Sequence, residues 1–319
     1  MSVLYLTEDN VRALATMDLA LDAVEAAFRK ISLDEAVNLP RQRCQTDHAM
    51  LHVLPAAAKT LNGLGFKAYT TTRNGAQFHL FLYDSRSGTL AAILEADYLG
   101  QLRTGAASGV ATKKLARPDA ETVGLYGTGK QARTQLEAVC RVRPIRRVHA
   151  FSRDEGRRVE FARVMSERCQ TEVIPVAAPE RAAQDCDIVI TATTSREPVL
   201  RGEWLAPGCH LNLIGSNFLA KTEVDVEVFR KANLVTVDSK DQARLEAGDF
   251  VAALREGVLN WATIWDFPHV LVGRYPGRQS SSDITVFKSL GLGIEDVAVG
   301  VRILEVARQQ AIGQELCIG

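Results

Sequence analysis

The sequence has no net charge: Lys plus Arg and Asp plus Glu each number 38. No protein-wide field therefore draws nucleic acid or anionic membrane toward it, and recognition of an anion has to be local. Its six cysteines, at 44, 140, 169, 186, 209 and 317, form no Cys-x-x-Cys pair and stand beside no histidine cluster. That argues against a disulfide framework and a zinc site, and the cysteines read as small core residues. His48, His79, His149, His210 and His269 also lack metal-ligand spacing, so no metal is expected. No apolar run approaches membrane-spanning length, and the opening MSVLYLTEDNV has no basic stretch followed by an apolar core. The expectation is a cytoplasmic chain. Internal repeats and low-complexity segments are missing too. What is there is an ordinary globular composition, 46% hydrophobic over 319 residues, long enough for two compact units.

Residues 7–31 carry apolar side chains at helical spacing (Val11, Leu14, Leu19, Val24, Ala27, Phe28), predicting one or two amphipathic helices with Asp18 able to cap the second. After Pro40 the texture changes to short alternating segments at 41–44, 50–54, 65–69 and 78–82, the last followed by a turn at 84–88, which predicts a sheet. Residues 91–115 read as a single Ala-rich helix ending before Pro118. From Thr122 onward, continuous apolar segments at 123–126, 147–151, 172–176, 188–192, 210–214 and 234–237 alternate with helical stretches. That is the pattern of a parallel sheet covered on both faces, a doubly wound α/β fold. Residues 294–312 form a further amphipathic helix, expected to return to the first unit. The expected division is 1–116 with 294–319, and 117–293.

The first strand of the βα series runs into Gly127-Thr128-Gly129-Lys130-Gln131-Ala132 and then a helix. By itself a G-x-G-x-x-A turn is a weak signal; directly after a strand and at a helix N-terminus it points to a dinucleotide pyrophosphate. Gly127, Gly129, Lys130 and Gln131 are the candidates. The second strand ends in Phe151-Ser152-Arg153, where an NAD-binding enzyme would carry an acidic residue on the ribose 2′-hydroxyl. Ser152 and Arg153 suit a 2′-phosphate and favour NADPH over NADH, while Asp154 keeps NADH open. Thr193 and Ser216, at the carboxyl ends of the fourth and fifth strands, could line the nicotinamide side. Thr191 reads as β-propensity.

Gly65-Phe-Lys67, Leu102-Arg103-Thr104-Gly-Ala-Ala, the Gly127 turn and Gly215-Ser-Asn217-Phe-Leu-Ala-Lys221-Thr-Glu occur in one order over nearly the whole chain. In these features the sequence resembles the ornithine cyclodeaminase/μ-crystallin family. The resemblance implies an N-terminal α+β substrate-binding and dimerisation domain, completed by the C-terminal helix, and a Rossmann-type domain. It also implies a homodimer and a nicotinamide cofactor. It makes Lys67 and Arg103 holders of a substrate carboxylate, together with an arginine on an early strand that is Arg41 or Arg43. Thr104 and Lys221 become candidates beside the cofactor. Two positions depart from the cyclodeaminase pattern: His52 stands where those enzymes have a glutamate, and Asn217 where they have a catalytic aspartate.

An amide has no basic lone pair at neutral pH, so Asn217 can orient a substrate or water but cannot take its proton. Reducing an imino acid asks for less: a protonated C=N, a hydride donor and cations for the carboxylate. Arg103 could hold that carboxylate through two parallel hydrogen bonds with Lys67 adding a point charge. His52 could protonate the imine or meet a second carboxylate. The function expected is NAD(P)H-dependent reduction of a small imino acid, a dicarboxylic one such as iminosuccinate included. The alternatives are a cyclodeaminase acting on a diamino acid and a catalytically silent cofactor-binding protein of the crystallin type.

Overall fold

The computed structural model describes residues 2–317. The chain divides into two compact units, one made of the residues up to Ala107 and from Gly291 onward, the other of Ser108–Leu290. The first unit holds β1 (Ser2–Leu6), α1 (Glu8–Leu14), α2 (Met17–Ser32), β2 (Ala36–Asn38), β3 (Gln42–Gln45), β4 (Ala49–Ala58), β5 (Gly63–Thr72), β6 (Gly75–Tyr83), β7 (Leu90–Glu95) and the start of α3 (Asp97–Leu115). The division falls inside α3, earlier than the expected break at 116, because a continuous helix crosses it and no turn residue marks the place. Every residue of α3 from Asp97 to Thr112 except the first two is buried, which is why its sequence is apolar and small on all sides.

Local signals account for the two opening helices. Thr7 and Asn10 exchange side-chain and backbone hydrogen bonds in a capping box at α1, and the Thr16 hydroxyl accepts from Leu19 N at the start of α2. Thr16 is therefore the cap, and Asp18 sits in the first turn. The segment 91–95, expected to be helical, is strand: Ala92 and Leu94 alternate inward in β7, which pairs with both β6 and β1. Pairing on both sides outweighs the helix propensity of alanine. The terminal strand β1 was not anticipated.

The sheet runs β1-β7-β6-β5-β4-β2, with β3 also on β4. Its register sets two rows on one face. Arg43, His52, Tyr69 and Phe78 stand opposite one another in turn, and beside them Leu54, Lys67, Leu80 and Leu94. A slip of one residue would turn Lys67 to the other face.

In the second unit β8 (Thr122–Tyr126), α4 (Lys130–Val142), β9 (Arg147–Phe151), α5 (Glu155–Cys169), β10 (Glu172–Val176), β11 (Ile188–Thr191), β12 (His210–Leu213), α6 (Val226–Lys231), β13 (Leu234–Val237), α7 (Lys240–Glu246), α8 (Gly248–Arg255), β14 (Ile264–Asp266), α9 (Phe267–Leu271) and β15 (Thr285–Lys288) follow. All eight strands are parallel, in the order β10-β9-β8-β11-β12-β15-β13-β14. The order reverses between β8 and β11, the place where doubly wound sheets bind ligands at their carboxyl ends. β14 and β15 carry too little sequence signal to have been foreseen; β15 is four residues, all buried.

The chain then returns to the first unit as α10 (Gly293–Gln310), and β16 (Gln314–Cys317) pairs with β1. α10 lies on the inward face of the first sheet, and a Cβ at Gly293 would come within 2.5 Å of the Leu54 carbonyl oxygen. Gly293→Ala should cost about 1–3 kcal/mol of stability, the usual range for overpacking. Urea unfolding of the two proteins checks this.

Candidate functional site

The first turn of α10 brings two carboxylates to two buried cations. Lys67 Nζ, on β5, is 2.7 Å from Asp296 Oδ1. Arg103, on α3, donates its Nε to the same Asp296 oxygen at 3.0 Å and its Nη1 to Glu295 Oε2 at 2.7 Å. Side-chain exposure is 3% for Lys67, 6% for Arg103 and 0% for both acids, so water screens these charges little. Carboxylates in a first helical turn are also favoured by the helix dipole. Arg41 is buried beside them, its Nη2 donating to the Gly291 carbonyl at 3.2 Å.

The electrostatics of the two cations differ. Burial, reinforced by the charges of Arg103 and Arg41, pushes the Lys67 ammonium down to about 8 although Asp296 supports it. Burial also works against the charge of Arg103, but Asp296 and Glu295 outweigh it and hold the guanidinium above its ordinary value. Two of the three guanidinium nitrogens are thus already engaged. One N–H of Nη1 and both of Nη2 lie outside these two bonds.

His52 lies in the neighbouring row, its ring stacked on Tyr69 at 4.2 Å and its Nε2 3.1 Å from the Thr71 hydroxyl, with Nδ1 buried and unpartnered. Burial first, then the charges of Arg43 and Arg41, lower its pKa to about 4. Burial and the two arginines thus favour the neutral ring, which weighs against the proton-donor role that the sequence suggested. Arg43, opposite His52 in the sheet, is half-buried, whereas Arg41 precedes β3 and joins the Lys67 and Arg103 cluster.

In the second unit Gly127 follows β8 with φ +103°, and a Cβ there would meet the Ala192 carbonyl oxygen at 2.4 Å. Only glycine tolerates that turn. Gly129 caps α4 with no side-chain hydrogen bond, open space surrounds its missing Cβ, and the first turn carries no acid. A helix start without a side-chain cap or an acid in its first turn fits a pyrophosphate. Lys130 is exposed and Gln131 half-buried at the same turn. Ser152 donates to the Asp154 carbonyl and receives the Thr128 hydroxyl at 3.2 Å, while Arg153 is exposed. The Asp154 carboxylate caps α5 by accepting from Arg157 N at 2.9 Å, a local duty that engages it at the helix start.

Sequence reasoning missed the residue that organises the neighbouring strand ends. The buried Glu223 carboxylate accepts from the Thr191 hydroxyl, from the amide and hydroxyl of Thr193, and from the Gly215 amide, all between 2.6 and 2.8 Å. Burial and the nearby Asp249 raise its pKa. Behind it Lys288 joins Asp249 Oδ2 at 2.8 Å and the Ser216 carbonyl at 2.6 Å. The hydroxyls of Thr193 and Ser216, expected to line a ligand, donate inward to Glu223 and to the Phe218 and Lys221 carbonyls. Thr104 likewise donates to the Gly100 carbonyl at 2.7 Å within α3. Asn217 lies half-buried in the loop after β12, and Lys221 Nζ is 5.2 Å from the Phe218 ring.

Residues 2–311 match the model of the ornithine cyclodeaminase/mu-crystallin family. The chain belongs to that family. A Δ1-pyrroline-2-carboxylate reductase of Thermococcus litoralis, in complex with NADH and L-proline, is 32% identical and superposes with a TM-score of 0.94 over 98% of this chain and 100% of that one. An archaeal alanine dehydrogenase dimer with bound NAD is 34% identical, TM-score 0.94, covering 100% of both chains. The iminosuccinate reductase of Paracoccus denitrificans, in complex with NAD+, is 25% identical, TM-score 0.93, again over 100% of both.

For this family member the residues missed from sequence are Glu223, Asp249, Lys288, Glu295 and Asp296. Glu223 closes the quoted Lys221-Thr-Glu segment, and the pair at 295–296 opens an otherwise apolar helix, so an acid on an apolar face was the signal available. Glu223→Ala should speed hydrogen exchange at the Thr193 and Gly215 amides, read peptide by peptide, while amides of β8 keep their protection.

Proposed function

We propose that this chain is a nicotinamide-dependent reductase of small imino acids. The observation that carries this reading is the buried group of Lys67, Arg103 and Arg41, three cationic side chains brought to one place beside Glu295 and Asp296, donors of the kind that hold a carboxylate. The glycine turn and bare start of α4 fit a dinucleotide, and the complexes of the related enzymes with NAD or NADH support that choice. When bound, the nicotinamide supplies the hydride that adds to the C=N carbon.

The residues do the rest. Arg103, Arg41 and Lys67 hold the carboxylate, which turns the reaction into a positioned, effectively unimolecular step. Lys67, with a pKa near 8, is also the acid suited to give the imine nitrogen its proton. Arg43 and the neutral His52 face the substrate side chain, an arrangement that accepts a second carboxylate, as in iminosuccinate, and offers no partner to a side-chain ammonium. Exposed Arg153 extends acceptance to NADPH, and its replacement by alanine lowers kcat/KM with NADPH more than with NADH.

Reduction by NADH or NADPH of cyclic imines, and of pyruvate, glyoxylate or oxaloacetate supplied with ammonia or methylamine, tests the reading through loss of reduced cofactor. Lys67→Ala and Arg103→Ala should each lower kcat/KM by at least about tenfold, the scale of a charged hydrogen bond. Ammonia release from ornithine without net cofactor consumption would overturn it. The charged form of Lys67 both binds and donates, and it is lost above about 8, so kcat/KM should be level on the acid side and fall as pH rises through that value.

We further propose a homodimer formed through the outer face of the first sheet, which carries Val53, Pro55, Leu64, Phe66, Phe81 and Ile93, with Leu64 36% exposed. An apolar sheet face of this kind marks a protein interface, and the dimer of the related alanine dehydrogenase supports it. Leu64→Lys should shift the protein to monomer in sedimentation.

A further inference from the structure

Asp296 is the only acid hydrogen-bonded to both Lys67 and Arg103 among the described residues. Its Oδ1 takes both bonds; its Oδ2 is buried and has no partner. The groups facing Lys67 are Asp296 from α10, Arg103 from α3, Arg41 ahead of β3, and the Tyr69 ring at 5.8 Å on β5 itself. Of these, Asp296 alone carries negative charge. Without it two buried like charges would repel across a low-dielectric site, and Lys67 would shed its proton more readily.

We propose that Asp296 is a positioning residue: by sharing one oxygen it holds Lys67 and Arg103 side by side as a single carboxylate receptor and keeps Lys67 charged. Glu295 is bonded to Arg103 through Nη1, a different nitrogen from the one Asp296 takes. The inference rests on the imino acid reading, but its test does not require turnover.

The test is equilibrium binding of pyrrole-2-carboxylate, a planar carboxylate that accepts no hydride, to the full chain by calorimetry across pH. Wild-type binding should weaken as pH rises through about 8. In Asp296→Asn this alkaline limb moves down by about one unit or more, the scale for losing an adjacent opposite charge. Affinity at neutral pH falls by about tenfold or more, the equivalent of one pKa unit. In Glu295→Gln affinity falls but the limb stays where it was. An Asp296→Asn protein with wild-type affinity and limb would overturn the proposal, as would equal limb shifts in both variants. Should Asp296→Asn fail to fold, Asp296→Glu keeps the charge and moves it: weakened binding with the limb in place supports the proposal, and unaltered binding refutes it. If the imino acid reading itself is wrong, wild-type protein will leave NADH unoxidised by imines while the limb is still measured.

Discussion

Burying two cations against one sheet face is the constraint from which much of the first unit follows. A lysine and an arginine removed from water lose solvation worth several kcal/mol each unless acids accompany them. Neither strand β5 nor helix α3 supplies those acids. They come from Glu295 and Asp296, nearly two hundred positions further along the chain than Arg103. The chain therefore has to come back to the first unit after residue 290 and press the first turn of α10 onto β4, and glycine at 293 is what lets the backbones approach that closely. Breaking one side of such a pair leaves an uncompensated charge, which typically costs about 3–5 kcal/mol. The arrangement is thus a weak source of stability and a strong determinant of where α10 sits.

The same ion group sets the electrostatics of the site. Arg41, Lys67 and Arg103 stand together with Glu295 and Asp296, and the two acids take up donors on two of the three nitrogens of Arg103. Lys67 is left as the adjustable member. Burial and the neighbouring arginines lower its pKa, while His52, stacked on Tyr69 with Arg43 and Arg41 nearby, is held toward its neutral form.

Much of this was legible in the sequence. The glycine turn at 127, the continuous apolar strands after it and the order of the Lys67 and Arg103 segments pointed to the α/β class and to the family, because each depends on local spacing. What could not be read were features decided by distant contacts. Residues 91–95 look helical until two neighbouring strands claim them. Thr193 and Ser216 look like ligand contacts until Glu223 and the loop carbonyls take their hydroxyls. Asp296 looks like an ordinary first-turn acid until the fold sets it between Lys67 and Arg103.

The most direct measurement of the central claim is the fate of a label. With reduced nicotinamide carrying deuterium in both positions of its reactive carbon and a saturating imino acid, the account predicts one deuterium at the α-carbon of the amino acid formed, seen by mass spectrometry, and little labelled product from Arg103→Ala under the same conditions. An amino acid formed without deuterium, or labelled equally well by the variant, would contradict it.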